Sequence, residues 1–272
     1  MSIHEILEIK KHQIIDHTEL ESLSRNKKHT QIILPLGPRN FDYVLEGGFY
    51  SGKKYVIFGP NKTGKTQLCH QLCVQAYKQL HKNFNSKNIK FIYYLDTENT
   101  FRPERIEELL DFSEFEIERV LKSILISKIM SNSVLLLALK DFEKIMLKDS
   151  GGLLIIDTIN NHYRSDLSNK KIVFHRVKDK FLSVLKKIDE LTNKFNLITI
   201  MTSQVSTNFA RDALIRELPV GYQFLNHYVS EYIYLSKKNM DKNFAHLVNS
   251  LNHPEKKVLY SITSKGIQDY KI

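Results

Sequence analysis

The stretch "KKYVIFGPNKTGKTQLCHQLC" constrains this chain most, because an apolar strand, a glycine-bearing turn and a helix follow one another without a break. Gly59, Gly64, Lys65 and Thr66 fit G-x-x-x-x-G-K-[ST] at a strand end that opens a helix, the setting the pattern needs. The segment Gly59, Pro60, Asn61, Lys62, Thr63, Gly64, Lys65, Thr66 and Gln67 then reads as a phosphate cradle. Glycines let the backbone curl so that N–H groups converge on phosphate oxygens, and the helix start adds its positive end. Lys65 reaches the terminal phosphates, and Thr66 places its hydroxyl on Mg²⁺. The competing reading is an ordinary glycine turn, which the strand-to-helix setting disfavours.

The elements around the cradle point to its fold class. From Gln31 onward, strand-like runs (54–59, 90–96, 124–127, 153–157, 197–201) alternate with helical ones (66–80, 103–110, 134–147 and a long run from Phe174). In that last run Phe174, Val177, Phe181, Val184, Leu185, Ile188 and Leu191 fall at three- and four-residue steps. Alternation of this kind predicts an α/β fold, a mostly parallel twisted sheet with helices on both faces. The tail differs: 228–235, 244–249 and 257–263 read as strands with no helix between them, an antiparallel extension of the sheet. Residues 1–30 read as an N-terminal arm, a helix carrying Ile3, Ile6, Leu7 and Ile14 and then the polar linker "SRNKKHT"; residues 31–272 read as one core domain.

Composition narrows the setting. No apolar run approaches membrane-span length, and His4, Glu5 and Glu8 interrupt any signal-peptide core, so an intracellular, cytoplasmic protein is expected. Cys69 and Cys73 lie one helical turn apart, and two thiols alone build no zinc site; buried packing is the simpler reading. The net charge of +10, from 40 basic and 30 acidic residues, favours a polyanionic partner, with a solvated lysine surface as the alternative.

Three further pieces sit at strand ends, the edge that faces the ligand crevice in such sheets. Asp157 closes "GGLLIID" and can hold Mg²⁺ beside the phosphates. Glu98, in "YYLDTENTFRPERIEELL", can orient and deprotonate an attacking water, while Thr100 is placed to cap the helix that opens at Pro103. Gln204, in "IMTSQVS", is a neutral hydrogen-bonding group able to sense a γ-phosphate.

Together, "DTENTFRPERI", the phosphate loop, "LLIIDT" and "TSQV" resemble the ATPase core of the RecA superfamily, and more narrowly the archaeal RadA and eukaryotic strand-exchange recombinases and paralogues such as archaeal RadB. "LPLGPRNFDYVLEGGFYSGK", "HYRSD", "LPVGYQF" and "YSITSKGIQDYK" extend the resemblance over roughly residues 32–271. The resemblance implies an ATP- and Mg²⁺-dependent ATPase in which Glu98 is the catalytic base. Arg105 packs on the adenine, and Gln204 couples the γ-phosphate to a second DNA loop. It also implies single-stranded DNA as partner, with Arg164, Lys170, Lys171 and Arg176 around the first DNA loop and Arg211 and Arg216 in the second. Phe209 would add stacking or a packing contact.

The chain departs from the family pattern in places. About thirty residues before the core are too few for the family's N-terminal DNA-binding domain. No phenylalanine precedes Phe41, although the family polymerises through a linker phenylalanine. Tyr222 stands where a second glycine follows Gly221, and "SDLSNKKIVFHR" replaces an Arg-Gly stretch. The leading expectation is a DNA-dependent ATPase acting as recombinase paralogue or mediator, alongside other recombination proteins or copies of itself. A principal recombinase with a shortened front and a KaiC-like regulatory ATPase are the alternatives.

Overall fold

Leu153, Leu154, Ile155 and Ile156 are all fully buried, which a strand achieves only with a covering layer on each face. In the computed structural model this strand, β6 (Gly152–Asp157), lies inside a nine-stranded sheet. Residues 31–80, 91–110, 114–146, 151–208, 215–239, 242–250 and 252–270 are described. The expected arm, 1–30, lies outside them, as do Phe209 and Arg211.

Six neighbouring strands run parallel: β5 (Ile124–Lys128), β4 (Ile92–Asp96), β6, β7 (Leu197–Ser203), β3 (Lys54–Phe58) and β10 (Glu231–Lys237), in that spatial order. Beyond β10 the sheet turns antiparallel through β11 (Asn243–Ser250), β12 (Lys256–Thr263) and β13 (Gly266–Asp269). The expected RecA-like core with an antiparallel extension is what the chain forms. Two short pairs flank it, β1 (Ile33–Leu34) with β2 (Phe49–Tyr50) and β8 (Val205–Thr207) with β9 (Glu217–Pro219).

Alternate residues of the central strands feed two cores. Leu153 and Ile155 join Leu68, Leu72 and Ala76 of helix α2 (Lys65–Leu80), following α1 (Arg39–Val44). Cys69 and Cys73 are buried in the same layer as free thiols, and burial pushes both above the ordinary thiol range. Leu154 and Ile156 pack on the opposite side. There they meet Leu139 of α5 (Asn132–Ile145) and Val184, Leu185 and Ile188 of α7 (Phe174–Phe195). Helices α3 (Pro103–Leu109), α4 (Glu114–Ser123), α6 (Asn161–Ser168) and α8 (Tyr222–Leu225) complete the described set. Helix α5 starts two residues before the expected Val134, because the Ser131 hydroxyl accepts the Val134 N–H at 3.2 Å and caps it.

The antiparallel extension supports the phosphate loop from below. The Tyr260 hydroxyl donates to the Thr63 carbonyl at 2.5 Å. Gln71 of α2 pairs with the backbone of Ile267, accepting its N–H at 2.7 Å and donating to its carbonyl at 3.2 Å. No helix among the described residues is long and apolar enough to cross a membrane.

Candidate nucleotide site

The phosphate loop joins β3 to α2, and its shape is fixed by close packing. A Cβ on Gly59 would collide with the Leu235 carbonyl oxygen of β10, so only glycine lets the loop leave the sheet there. The Lys65 ammonium folds back over the loop, donating to the Gly59 and Pro60 carbonyls at 2.7 and 2.8 Å. Burial pulls its pKa below the ordinary lysine value, while Asp157, Glu98 and Glu217 pull the other way. Asn61, Lys62 and Gln67 line the same cleft, a space of about 290 Å³ sized for the phosphate end of a nucleotide.

Strand register brings the acids to this cleft. Asp96 and Asp157 are Cα partners at the ends of β4 and β6. Asp157 accepts hydroxyls from Thr66 at 2.9 Å, Tyr94 at 2.8 Å and Thr100 at 3.4 Å, and from Thr202. The Thr66 hydroxyl and the Asp157 carboxylate are hard oxygen donors beside a phosphate cradle, a set that fits Mg²⁺. Asp96 instead builds a turn, accepting the N–H groups of Glu98 and Thr100 at 3.1 Å each and of Phe101 at 3.0 Å. That turn presents Glu98 at the cleft mouth, where the Gln204 amide donates to it. A second cavity of about 630 Å³ shares Glu98 and Gln204, which together form the partition between the two spaces.

Thr100 does not cap α3 as expected; its hydroxyl is drawn to Asp157, and Arg102 occupies the cap position without a side-chain capping bond. The Arg102 N–H goes to Nε2 of buried His70 at 3.1 Å, leaving Nδ1 to donate to the Thr66 carbonyl at 2.8 Å. Both ring nitrogens are thus assigned and the imidazole is neutral; burial holds its pKa below 6.5. Arg105 lies at the cleft's far side, donating to Gln67, to Glu108 at 2.5 Å and to the Ser264 and Thr263 carbonyls at 2.7 and 2.9 Å.

Sequence reasoning missed His70, Tyr94, Thr202 and, above all, Asn160. The buried Asn160 amide donates to the Ser203 hydroxyl at 2.8 Å and to the Gln204 and Val220 carbonyls at 3.1 and 3.3 Å. Its oxygen accepts the Gln204 N–H at 3.2 Å, so one side chain holds Gln204 from both sides. Polar residues just beyond apolar strands, such as "DTINN" and "TSQ", were the available signal.

The basic residues lie apart from this packed cleft. Arg164 is exposed on α6, Lys170 and Lys171 are exposed in the connection to α7, and Arg176 is exposed in the first turn of α7. Arg216 is exposed beside β9. Gly221 has φ +82°, whereas Tyr222 already begins α8 and rests edge-on against Tyr232, so a side chain is tolerated at 222.

A family model described as Rad51 matches residues 27–270 of this chain. The meiotic recombination protein DLH1 of Candida albicans is 30% identical over 237 residues, covering 86% of this chain and 72% of its own. The DMC1/LIM15 homolog of Mus musculus is 30% identical over 241 residues, covering 86% and 69%. The meiotic recombination protein DMC1 of Saccharomyces cerevisiae is 29% identical over 240 residues, covering 87% and 71%.

Proposed function

The chain belongs to the Rad51 family, and from that premise we propose that it is a RecA-type, DNA-dependent ATPase. In this reading it binds single-stranded DNA under ATP control, as a recombinase paralogue or mediator in homologous recombination and repair. The observation that carries the reading is the hydrogen bond from Gln204 to Glu98. It joins a carboxylate suited to activating water to the strand end from which the second loop departs.

Each residue has a distinct task. Lys65 exchanges the loop carbonyls for phosphate oxygens, a charge-assisted contact stronger than the neutral ones it leaves. Thr66 and Asp157 would hold Mg²⁺, which when bound supplies charge neutralisation at the phosphates. Glu98 accepts the proton of the water that attacks the γ-phosphate. Gln204 holds the Glu98 carboxylate until the γ-phosphate competes for its amide. Asn160 passes that change to Val220 at the second loop's exit, because it binds Gln204 and Val220 together. Arg105, clamped at the β12–β13 turn, forms the base-side wall. Arg164, Lys170, Lys171, Arg176, Arg211 and Arg216 then neutralise the DNA backbone.

The test is hydrolysis with and without single-stranded DNA, beside anisotropy of labelled DNA across a salt series. Stimulation by DNA and ATP-strengthened, salt-steep binding are expected; a flat salt slope with no ATP effect sinks the reading. Glu98→Gln is expected to slow turnover about 100-fold or more while ATP still binds. Unslowed hydrolysis would favour a switch-type regulatory ATPase.

One observation favours a second reading, the principal strand-exchange recombinase. Strand β5 is the sheet's outer parallel edge, and its Leu125 and Ile126 are 47% and 42% exposed. Among the described residues no strand pairs with the outer side of β5, and an open apolar edge invites a strand from another chain, hence self-assembly or a recombination partner. Electron microscopy with ATP and single-stranded DNA separates the readings: long filaments support this one, short oligomers the first.

A further inference from the structure

The exposed face where α6 meets α7 combines two properties that rarely coincide. Residues 161–180 hold six lysines and arginines against two aspartates, so twenty residues supply four units of the net +10. Among these charges stand large apolar side chains turned to solvent: Phe174 is 55% exposed, Val173 67% and Leu167 41%. A phenylalanine left in water forgoes the burial that normally places it inside. Phe174 falls in step with the buried stripe of α7, three residues before Val177, yet it is left exposed where the core that buries the stripe ends.

The backbone that presents Phe174 is fixed. Tyr163 of α6 stacks on Phe181 of α7 with centroids 4.3 Å apart. Asn169 folds the connection, its side chain accepting the Lys171 N–H and its carbonyl the Ile172 N–H, both at 3.0 Å. Phe174 is the first residue of a 22-residue helix whose first turn carries no acidic residue. Of the two carboxylates on this stretch, Asp179 is engaged by His175 at 3.0 Å and Asp166 accepts the Asn132 side-chain N–H at 3.3 Å.

We propose that Phe174 is a base-stacking platform: an unpaired base of single-stranded nucleic acid lies on its ring while neighbouring phosphates meet Arg164, Lys170, Lys171 and Arg176. The inference rests on the DNA-binding reading above and adds to it a residue that contacts bases rather than the backbone. Charge complementarity selects the occupant. A single strand offers both a dense line of negative charge and exposed aromatic faces, whereas a duplex hides the faces and an acidic peptide seldom supplies them.

The chain contains no tryptophan, so Phe174→Trp installs a sole indole reporter in this 272-residue chain. With ATP and Mg²⁺ present, a thymine oligonucleotide is expected to quench this indole, and an abasic oligonucleotide of equal length is not. Phe174→Ala is expected to weaken binding of the thymine strand about ten-fold and leave the abasic strand unaffected. Thermal melting controls for folding, which an exposed position should survive. Bound DNA, seen by anisotropy, with an unquenched indole overturns the stacking role and leaves the DNA reading standing; so does an alanine variant that binds both strands normally. Absence of any DNA binding by the unsubstituted protein removes both together.

Discussion

The nucleotide cleft and the α6–α7 face lie on one domain and are built by opposite rules. In the cleft, polar groups are already partnered within the chain: Lys65 with loop carbonyls, Thr66 with Asp157, Gln204 with Glu98. On the α6–α7 face, cations and apolar side chains alike stand in solvent. Phosphoryl transfer needs closely positioned groups, and in the cleft the chain's own hydrogen bonds hold Lys65 and Glu98 beside the loop until substrate replaces those partners. Holding a flexible polyanion needs charge density and accessible surface, which a partnered network would remove.

That contrast can be broken experimentally, beginning with the largest effect. Lys65→Ala is expected to cut ATP hydrolysis about 100- to 1000-fold and to abolish the ATP-dependent gain in DNA affinity. DNA binding measured without nucleotide should persist; its loss would show that the two regions are one. Replacing Arg164 and Arg176 together by alanine should make the plot of log affinity against log salt shallower by about 1.4, at about 0.7 per lost phosphate contact on a single strand. An unchanged slope would assign those residues to a solvated surface.

The smallest effect concerns His70, which ties the Thr66 carbonyl to the Arg102 N–H. Burial depresses its folded-state pKa below 6.5, so between the two values the unfolded chain binds the extra proton. Its contribution to stability is therefore complete above 6.5 and drains away as pH falls towards the folded value. Melting curves across that window should show a slope of at most about 1.4 kcal/mol per pH unit that a His70→Asn variant lacks. Identical curves would leave His70 no part in bracing the site.

The parallel core was readable because continuous apolar runs such as "GGLLIID" have few homes other than a doubly covered strand. Helix α4 escaped because it passes into β5 at Ser123–Ile124 without a glycine or proline to mark the change. Helix α6 escaped because Tyr163 is its one buried residue, which leaves no periodic signal. That Lys65, Thr66, Glu98, Asp157 and Gln204 would share one cleft was legible, because phosphate chemistry prescribes residue types at set places. Thr202, Tyr94 and Asn160 were not, since they meet Asp157 and Gln204 only when β4, β6 and β7 lie side by side. Sequence distance conceals such partners, and strand register reveals them.

The support beneath the phosphate loop has a consequence for the chain's birth. Thr63 and Tyr260 are 197 positions apart, yet the hydroxyl of one holds the carbonyl of the other. A ribosome releases the cradle's own residues early, when β12 and β13 have not yet been made. The nascent chain therefore carries the motif long before it has the floor that shapes it. Nucleotide grip waits on β12 and β13, and a product terminated before them would compete poorly for ATP.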